Sequence, residues 1–216
     1  MSTISAAGVN AGGASFWRVP REWAGETAFV VGGGPSVLSQ DLEKLRGRRV
    51  VAINSSYQCV PFADILFFGD LRWWKEHQGA LVKFPGRIVT CRKEPGGINS
   101  RRQVFELERK APPGLAMRPT EVAFRRTSYV PAINLLVHLG VAEIIALGLD
   151  GKPGAQGRSH HHVPHRWPVK PGCFAEQAVE LRSLVEPLVR AGVTLRNASP
   201  GSAYDFWPKV ALEDVL

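Results

Sequence analysis

The residues with the most chemical potential in this 216-residue chain stand just after short apolar runs. Gly32-Gly33-Gly34-Pro35-Ser36 follows Thr27-Ala-Phe-Val-Val31. Three glycines allow unusual φ angles and let a ligand approach peptide N–H groups closely. A helix opening at Pro35 or Ser36 would add the positive end of its dipole, so the turn suits a phosphate. No Gly-Lys-Ser/Thr follows, which excludes a Walker loop, and the GxGxxG pattern is incomplete. The competing reading is a tight strand–helix turn with no ligand.

Asn54 and Asp70 end two further apolar runs, and Asp150 ends a third. An asparagine there can hydrogen-bond a ribose, a base or a phosphate. A carboxylate can hold a hydroxyl or a hard cation, so Asp70 and Asp150 are the candidate magnesium ligands. Each of these side chains also serves commonly as a helix cap. Arg158-Ser-His160-His161-His162-Val-Pro-His165-Arg166-Trp167 is the most unusual segment. Imidazoles titrate near neutral pH, so one could act as general acid or base or bind a metal. A zinc site would add a cysteine or carboxylate at regular spacing, and none is evident. A solvated basic loop is the third reading. The pairs Arg101-Arg102 and Arg125-Arg126 are either a phosphate clamp or plain surface. Trp73 and Trp74 either stack on a base or pack in the core.

The elements that must position these groups alternate. Strands are expected at 27–31, 49–53, 64–68, 87–91, 143–149 and 193–196. Helices are expected over 36–45, where Val37, Leu38, Leu42 and Leu45 recur at helical spacing, over 71–77, over 131–140 and over 174–191. Segments 92–120 and 151–172 read as irregular basic connections or a lid. The alternation predicts an α/β fold: a Rossmann-like, mostly parallel sheet with helices on both faces. Residues 1–20 read as a flexible N-terminal lead and 21–216 as one domain. The candidate groups, together with Asn197–Ser202 after the last strand, then gather at the carboxyl ends of the strands, where ligands of such sheets bind.

Composition narrows the partners. The chain carries a formal net charge of +8 with 27 Lys and Arg against 19 Asp and Glu. Anionic partners are favoured: nucleotides, phosphates or nucleic acid. The three cysteines are far apart, so no disulfide framework or zinc knuckle is expected. No apolar run reaches the roughly 20 residues of a membrane helix, and the first fifteen residues lack the pattern of a signal peptide. These features point to a cytoplasmic setting.

Several segments in order resemble two related groups, the 6-hydroxymethylpterin diphosphokinase MptE-like proteins and the Campylobacter-type bacterial sialyltransferases. Val30 to Ser36 is similar to their opening GxGPS motif. Val51-Ala-Ile-Asn54 resembles their second strand, and Phe62 to Asp70 the MptE-like third. Thr127-Ser128 with 132–140 and 143–150 resembles the block "TSG…A…LG…I.L.G.D". Asn197 to Ser202 with Phe206-Trp-Pro208 resembles the closing segment. His161-His-Val-Pro-His165 falls where the sialyltransferases carry an HxxxH. The resemblance implies a nucleotide or nucleotide-sugar donor over Gly33–Ser36, held by Asn54, Ser128 and Ser202. It also implies a base at His165, or else His161, and frequent phage encoding of such small proteins. Asp70 stands where the sialyltransferases have Asn, which leans toward the MptE-like branch and a possible Mg2+. Tyr129 replaces the Gly of TSG, which narrows the pocket.

Three functions follow from these readings. One is glycosyl transfer from a nucleotide sugar. Another is magnesium-dependent diphosphate transfer from ATP. The third is non-catalytic binding of nucleotide or nucleic acid, which a steep salt dependence would reveal.

Overall fold

The computed structural model describes residues 16–92, 104–111, 113–162 and 170–216. Seven strands form one sheet, all of its pairings parallel: β1 (Thr27–Val31), β2 (Arg49–Ile53), β3 (Ile65–Phe68), β4 (Arg87–Thr90), β5 (Val104–Glu106), β8 (Glu143–Leu147) and β9 (Thr194–Asn197). Their order is β5-β4-β3-β2-β1-β8-β9. Two three-residue strands, β6 (Glu108–Lys110) and β7 (Glu121–Ala123), pair separately. The helices are α1 (Leu71–His77), α2 (Tyr129–Leu139), α3 (Cys173–Arg182) and α4 (Val185–Arg190). The fold is α/β, with an open sheet covered on both faces.

The pleat sorts the core into two layers. Ala28 and Val30 of β1 join Val51 and Ile53 of β2 and the apolar side of α2, α3 and α4. Phe29 and Val31 face the other way, with Val50, Ala52, Trp73 and Trp74. The two tryptophans are therefore core residues: Trp73 Nε1 donates to Ser55 Oγ at 2.8 Å, and Trp74 stacks on Phe68.

Two expected helices differ from the structure. Residues 36–45 form two short 3-10 helices, Pro35–Ser39 and Leu42–Leu45, separated by extended Gln40. Val37, Leu42 and Leu45 are buried as their spacing predicted, but by two tight turns and not by one helix, and Leu38 of the same expected stripe is exposed. The helix expected over 174–191 breaks at Ser183-Leu184. Pro187 has no N–H to donate to the Ser183 carbonyl, so the α-helical ladder cannot run through. Ser183 Oγ turns back to the Glu180 carbonyl at 2.6 Å and accepts from Gly114 N at 3.1 Å. Part of the irregular basic connection is ordered as β5 and β6, and β7 follows directly after it. Of the N-terminal lead, residues 16–20 are docked: Trp17 N donates to Glu106 O, Val19 N donates to Pro119 O, and Val19 is buried.

Candidate functional site

The chain leaves β1 toward β2 on one side, while β8 lies against β1 on the other. That reversal opens a crevice beyond the carboxyl ends of β1 and β8, the place where open parallel sheets bind ligands. A cleft of about 190 Å³ sits there, lined by Gly33 and Gly34 after β1, Asn54 after β2, Asp150 and Lys152 after β8, and Arg126 to Tyr129 before and at the start of α2. A larger depression of about 720 Å³ lies at the opposite edge of the sheet. Its charges are paired, Arg87 with Glu22, and Arg49 with Asp64 and with Glu26 just outside it.

The three glycines meet different demands. None has positive φ among the described glycines; their role is close approach. A Cβ on Gly32 would run into the Tyr129 ring, whose hydroxyl donates to the Leu147 carbonyl. A Cβ on Gly34 would collide with the Gly148 carbonyl and come within 2.6 Å of the Asp150 carboxylate. At Gly33 it would meet the His160 ring at 3.1 Å. So Gly32 and Tyr129 are a matched pair: a bulky ring at 129 requires no side chain at 32. Gly34→Ala forces backbone to move and is expected to cost about 2 kcal/mol, within the usual range for overpacking. An unchanged melting temperature would contradict that reading.

The positive end expected at the turn is replaced by internal pairing. The element that opens at Pro35 is a single 3-10 turn, and Asp150 already occupies its amide. Ser36 N donates to Asp150 Oδ2 at 2.9 Å, and Ser36 Oγ to Oδ1 at 2.5 Å. Burial raises the Asp150 pKa, and the Ser36 bonds only partly oppose this. Asp70 caps α1 through Arg72 N at 2.8 Å and pairs with the Arg72 guanidinium at 2.7 Å. Burial pushes its pKa up, but the Arg72 bonds prevail and lower it. The strands that carry Asp70 and Asp150 are three steps apart in the sheet, roughly 14 Å at about 4.8 Å per step. The pair does not converge on one ion. No group of three or more His, Cys, Asp or Glu side chains is arranged around a metal among the described residues.

Asn54 is the described non-glycine residue with positive φ, at 50°. Its Oδ1 is buried and has no hydrogen-bond partner among the described residues. Ser128 lies at the start of α2 in the cleft; Ser202 does not reach it. Ser202 Oγ donates to the Leu149 carbonyl at 2.6 Å and accepts from Asn197 Nδ2, which braces the loop after β8.

The described part of the histidine segment, residues 158–162, folds over the glycine turn. His161 N donates to Gly33 O at 2.9 Å, and His160 and His162 line the cleft. His161 itself points inward, with Nε2 3.2 Å from Ser56 Oγ and Nδ1 3.4 Å from Cys59 Sγ. Burial, with its neighbours His162 and His160, lowers its pKa to about 4. His165, like Arg101 and Arg102, lies outside the described residues. Arg126 lines the cleft and pairs with Glu176 at 2.8 Å.

Two structural residues went unseen in the sequence. The Glu180 carboxylate, 4% exposed, accepts from Arg125 N and Arg126 N, both at 2.7 Å, and from Thr127 N at 3.1 Å. It holds the loop that delivers Arg126 and Ser128. Asn134, fully buried in α2, accepts from Ala116 N and Ala123 N. Both lie on apolar helix faces, which is the signal that marks them: Glu180 shares a stripe with Leu184 and Leu188.

An open parallel α/β sheet with a polar crevice at its switch point defines the class. No family model matches the sequence, and no curated protein matches it. Among solved structures, the fold is similar to thiamin pyrophosphokinase from Geobacillus thermodenitrificans, with a TM-score of 0.41 and 14% identity over 78% of this chain. The likeness spans 58% of that protein's length. Among the described residues no helix is long and apolar enough to cross a membrane.

Proposed function

We propose that this chain is a nucleotide-binding transferase whose donor lies in the β1–β8 crevice. The observation that carries the reading is Asn54. A buried amide oxygen without a partner costs about 1–3 kcal/mol, and the left-handed backbone, which asparagine tolerates better than most side chains, aims that oxygen. Such outliers persist where function demands them. Phosphate oxygens offer no proton, so the group that completes Asn54 Oδ1 is an O–H or N–H, as on a ribose or base. Arg126 and Lys152 flank the same cleft and suit the phosphates. With His160 and His162 in place the cleft is below the roughly 300 Å³ of small-molecule sites, so these two side chains would have to move aside for a nucleotide to enter. The resemblance to GxGPS proteins supports the same placement.

The group transferred has two candidates. Glycosyl transfer would use an imidazole of the histidine segment as base; His165 keeps that role from the sequence, while His161 is turned away. Diphosphate transfer from ATP is favoured by Asp150. A carboxylate lining a phosphate site repels it unless a cation intervenes. Asp150 would hold a magnesium carried in on the phosphates, and such an ion would supply charge neutralisation. Asp70 would take no part in holding it.

Nucleotides and nucleotide sugars, each with and without Mg2+, should raise the melting temperature of the protein. Asn54→Gly should keep or increase the stability of the free protein, since glycine accepts the left-handed backbone. The same variant should bind nucleotide about tenfold more weakly, about 1.4 kcal/mol. Undiminished affinity in Asn54→Gly removes the basis of this reading. Strict dependence on Mg2+ selects diphosphate transfer; full activity in EDTA selects glycosyl transfer.

A further inference from the structure

A second depression, of about 350 Å³, adjoins the nucleotide cleft on the far side of Asp150. Asp150 and Lys152 line both. The volume falls within the range of about 300–1,000 Å³ typical of small-molecule sites. Its walls come from three turns: Pro35 and Leu38 after β1, Pro153 and Gly154 after β8, and Pro200 after β9. Proline fixes φ, so these walls are stiff. Gly154 presses on the Pro35 ring, where a Cβ would come within 2.6 Å. Gly154 N also donates to Arg158 O at 2.7 Å and closes a tight loop that sets Arg158 at the rim. Leu38 is 58% exposed and adds an apolar wall.

We propose that this depression is the acceptor subsite and takes a small hydroxylated molecule bearing an anionic group, such as a phosphorylated sugar. The proposal rests on the nucleotide reading for the word acceptor, but not for the binding itself. Arg158, which lines this depression and not the nucleotide cleft, matches the anion and can grip a phosphate with two parallel N–H donors. The prolines and Leu38 provide the apolar faces on which a sugar ring lies. Asp150 stands at the seam, so the two substrates meet where the crevice and the depression join. Its carboxylate, already holding Ser36, keeps free lone pairs to accept from a hydroxyl.

The probe is glucose 6-phosphate, with glucose and inorganic phosphate as controls, titrated calorimetrically into the full chain. The protein is taken alone and saturated with the nucleotide that stabilises it most. Glucose 6-phosphate is expected to bind alongside the nucleotide and more tightly than either control. Arg158→Ala should weaken it about tenfold and leave nucleotide affinity unchanged, which also shows that the variant is folded. Arg158→Lys should restore part of the loss. Equal binding to Arg158→Ala overturns the subsite, as does competition with nucleotide or the absence of binding. If no nucleotide binds but glucose 6-phosphate still does so through Arg158, the subsite stands and the transferase reading falls.

Discussion

Glu180→Ala is expected to lower stability by about 3 kcal/mol and to weaken nucleotide binding as well. Three backbone N–H groups, of Arg125, Arg126 and Thr127, converge on this one carboxylate. Hydrogen bonds to a charged group contribute about 1.5–3 kcal/mol each, and orphaned donors add their own cost. Water can reach Arg125 and Arg126, which are exposed, so the three losses do not simply add. The loop so released carries Arg126 and Ser128 into the cleft. Glu180→Gln keeps one acceptor oxygen but brings an NH2 against the remaining donors, and should fall between. Urea titration gives the stability, and calorimetry the affinity. A loss below 1 kcal/mol would show that the carboxylate is not what holds the loop.

The strands that carry the site were legible because each is buried on both faces. Thr27–Val31, Arg49–Ile53 and Glu143–Leu147 read as continuous apolar runs, as strands within a doubly covered parallel sheet must. β6 was not legible: Glu-Arg-Lys shows no apolar run, and its charges are paired within the small sheet, Lys110 with Glu108 and with Glu121 of β7. The segment 36–45 shows the limit of periodicity. The spacing marks Val37, Leu42 and Leu45 as buried, but it misplaces the exposed Leu38 and does not tell whether one helix or two tight turns buries the others. The broken α3–α4 rod was signalled by Pro187 and outweighed by the apolar stripe around it.

The site followed the same division. Topology places Gly33, Gly34, Asn54 and Asp150 at the strand ends, and the alternation of elements was enough to predict that. Side-chain commitments were not readable. Nothing local tells that Asp150 turns to Ser36, or that Asp70 turns to Arg72, because those bonds depend on where the turn after β1 and the start of α1 come to rest. Nor does a run of three histidines say which ring is the internal one. The structure turns His161 in and leaves His160 and His162 over the cleft, a choice set by the pocket between Ser56 and Cys59.

That buried ring should make the protein acid-sensitive in a defined window. His161 has a pKa of about 4 in the folded chain against 6.5 in the unfolded one. A base with a depressed folded pKa takes up its proton more readily when unfolded. Its contribution to stability is therefore fully present above pH 6.5, falls as pH drops below that value, and is lost near pH 4. The difference corresponds to about 3 kcal/mol. Burial lowers the pKa of His77 and His138 too, so they add slope of the same sign. Subtraction isolates His161: His161→Gln retains a polar contact with Ser56 and cannot titrate. Its unfolding free energy should depend on pH about 3 kcal/mol less than that of the wild type between pH 6.5 and 4. Because His161 N also bonds Gly33 O, protonation should lift the histidine segment from the glycine turn. Hydrogen exchange at residues 159–162 should then accelerate in the same window, and not in His161→Gln. Identical pH profiles for the two proteins would mean that the ring is solvated, and that the segment is held over the cleft by contacts other than this imidazole.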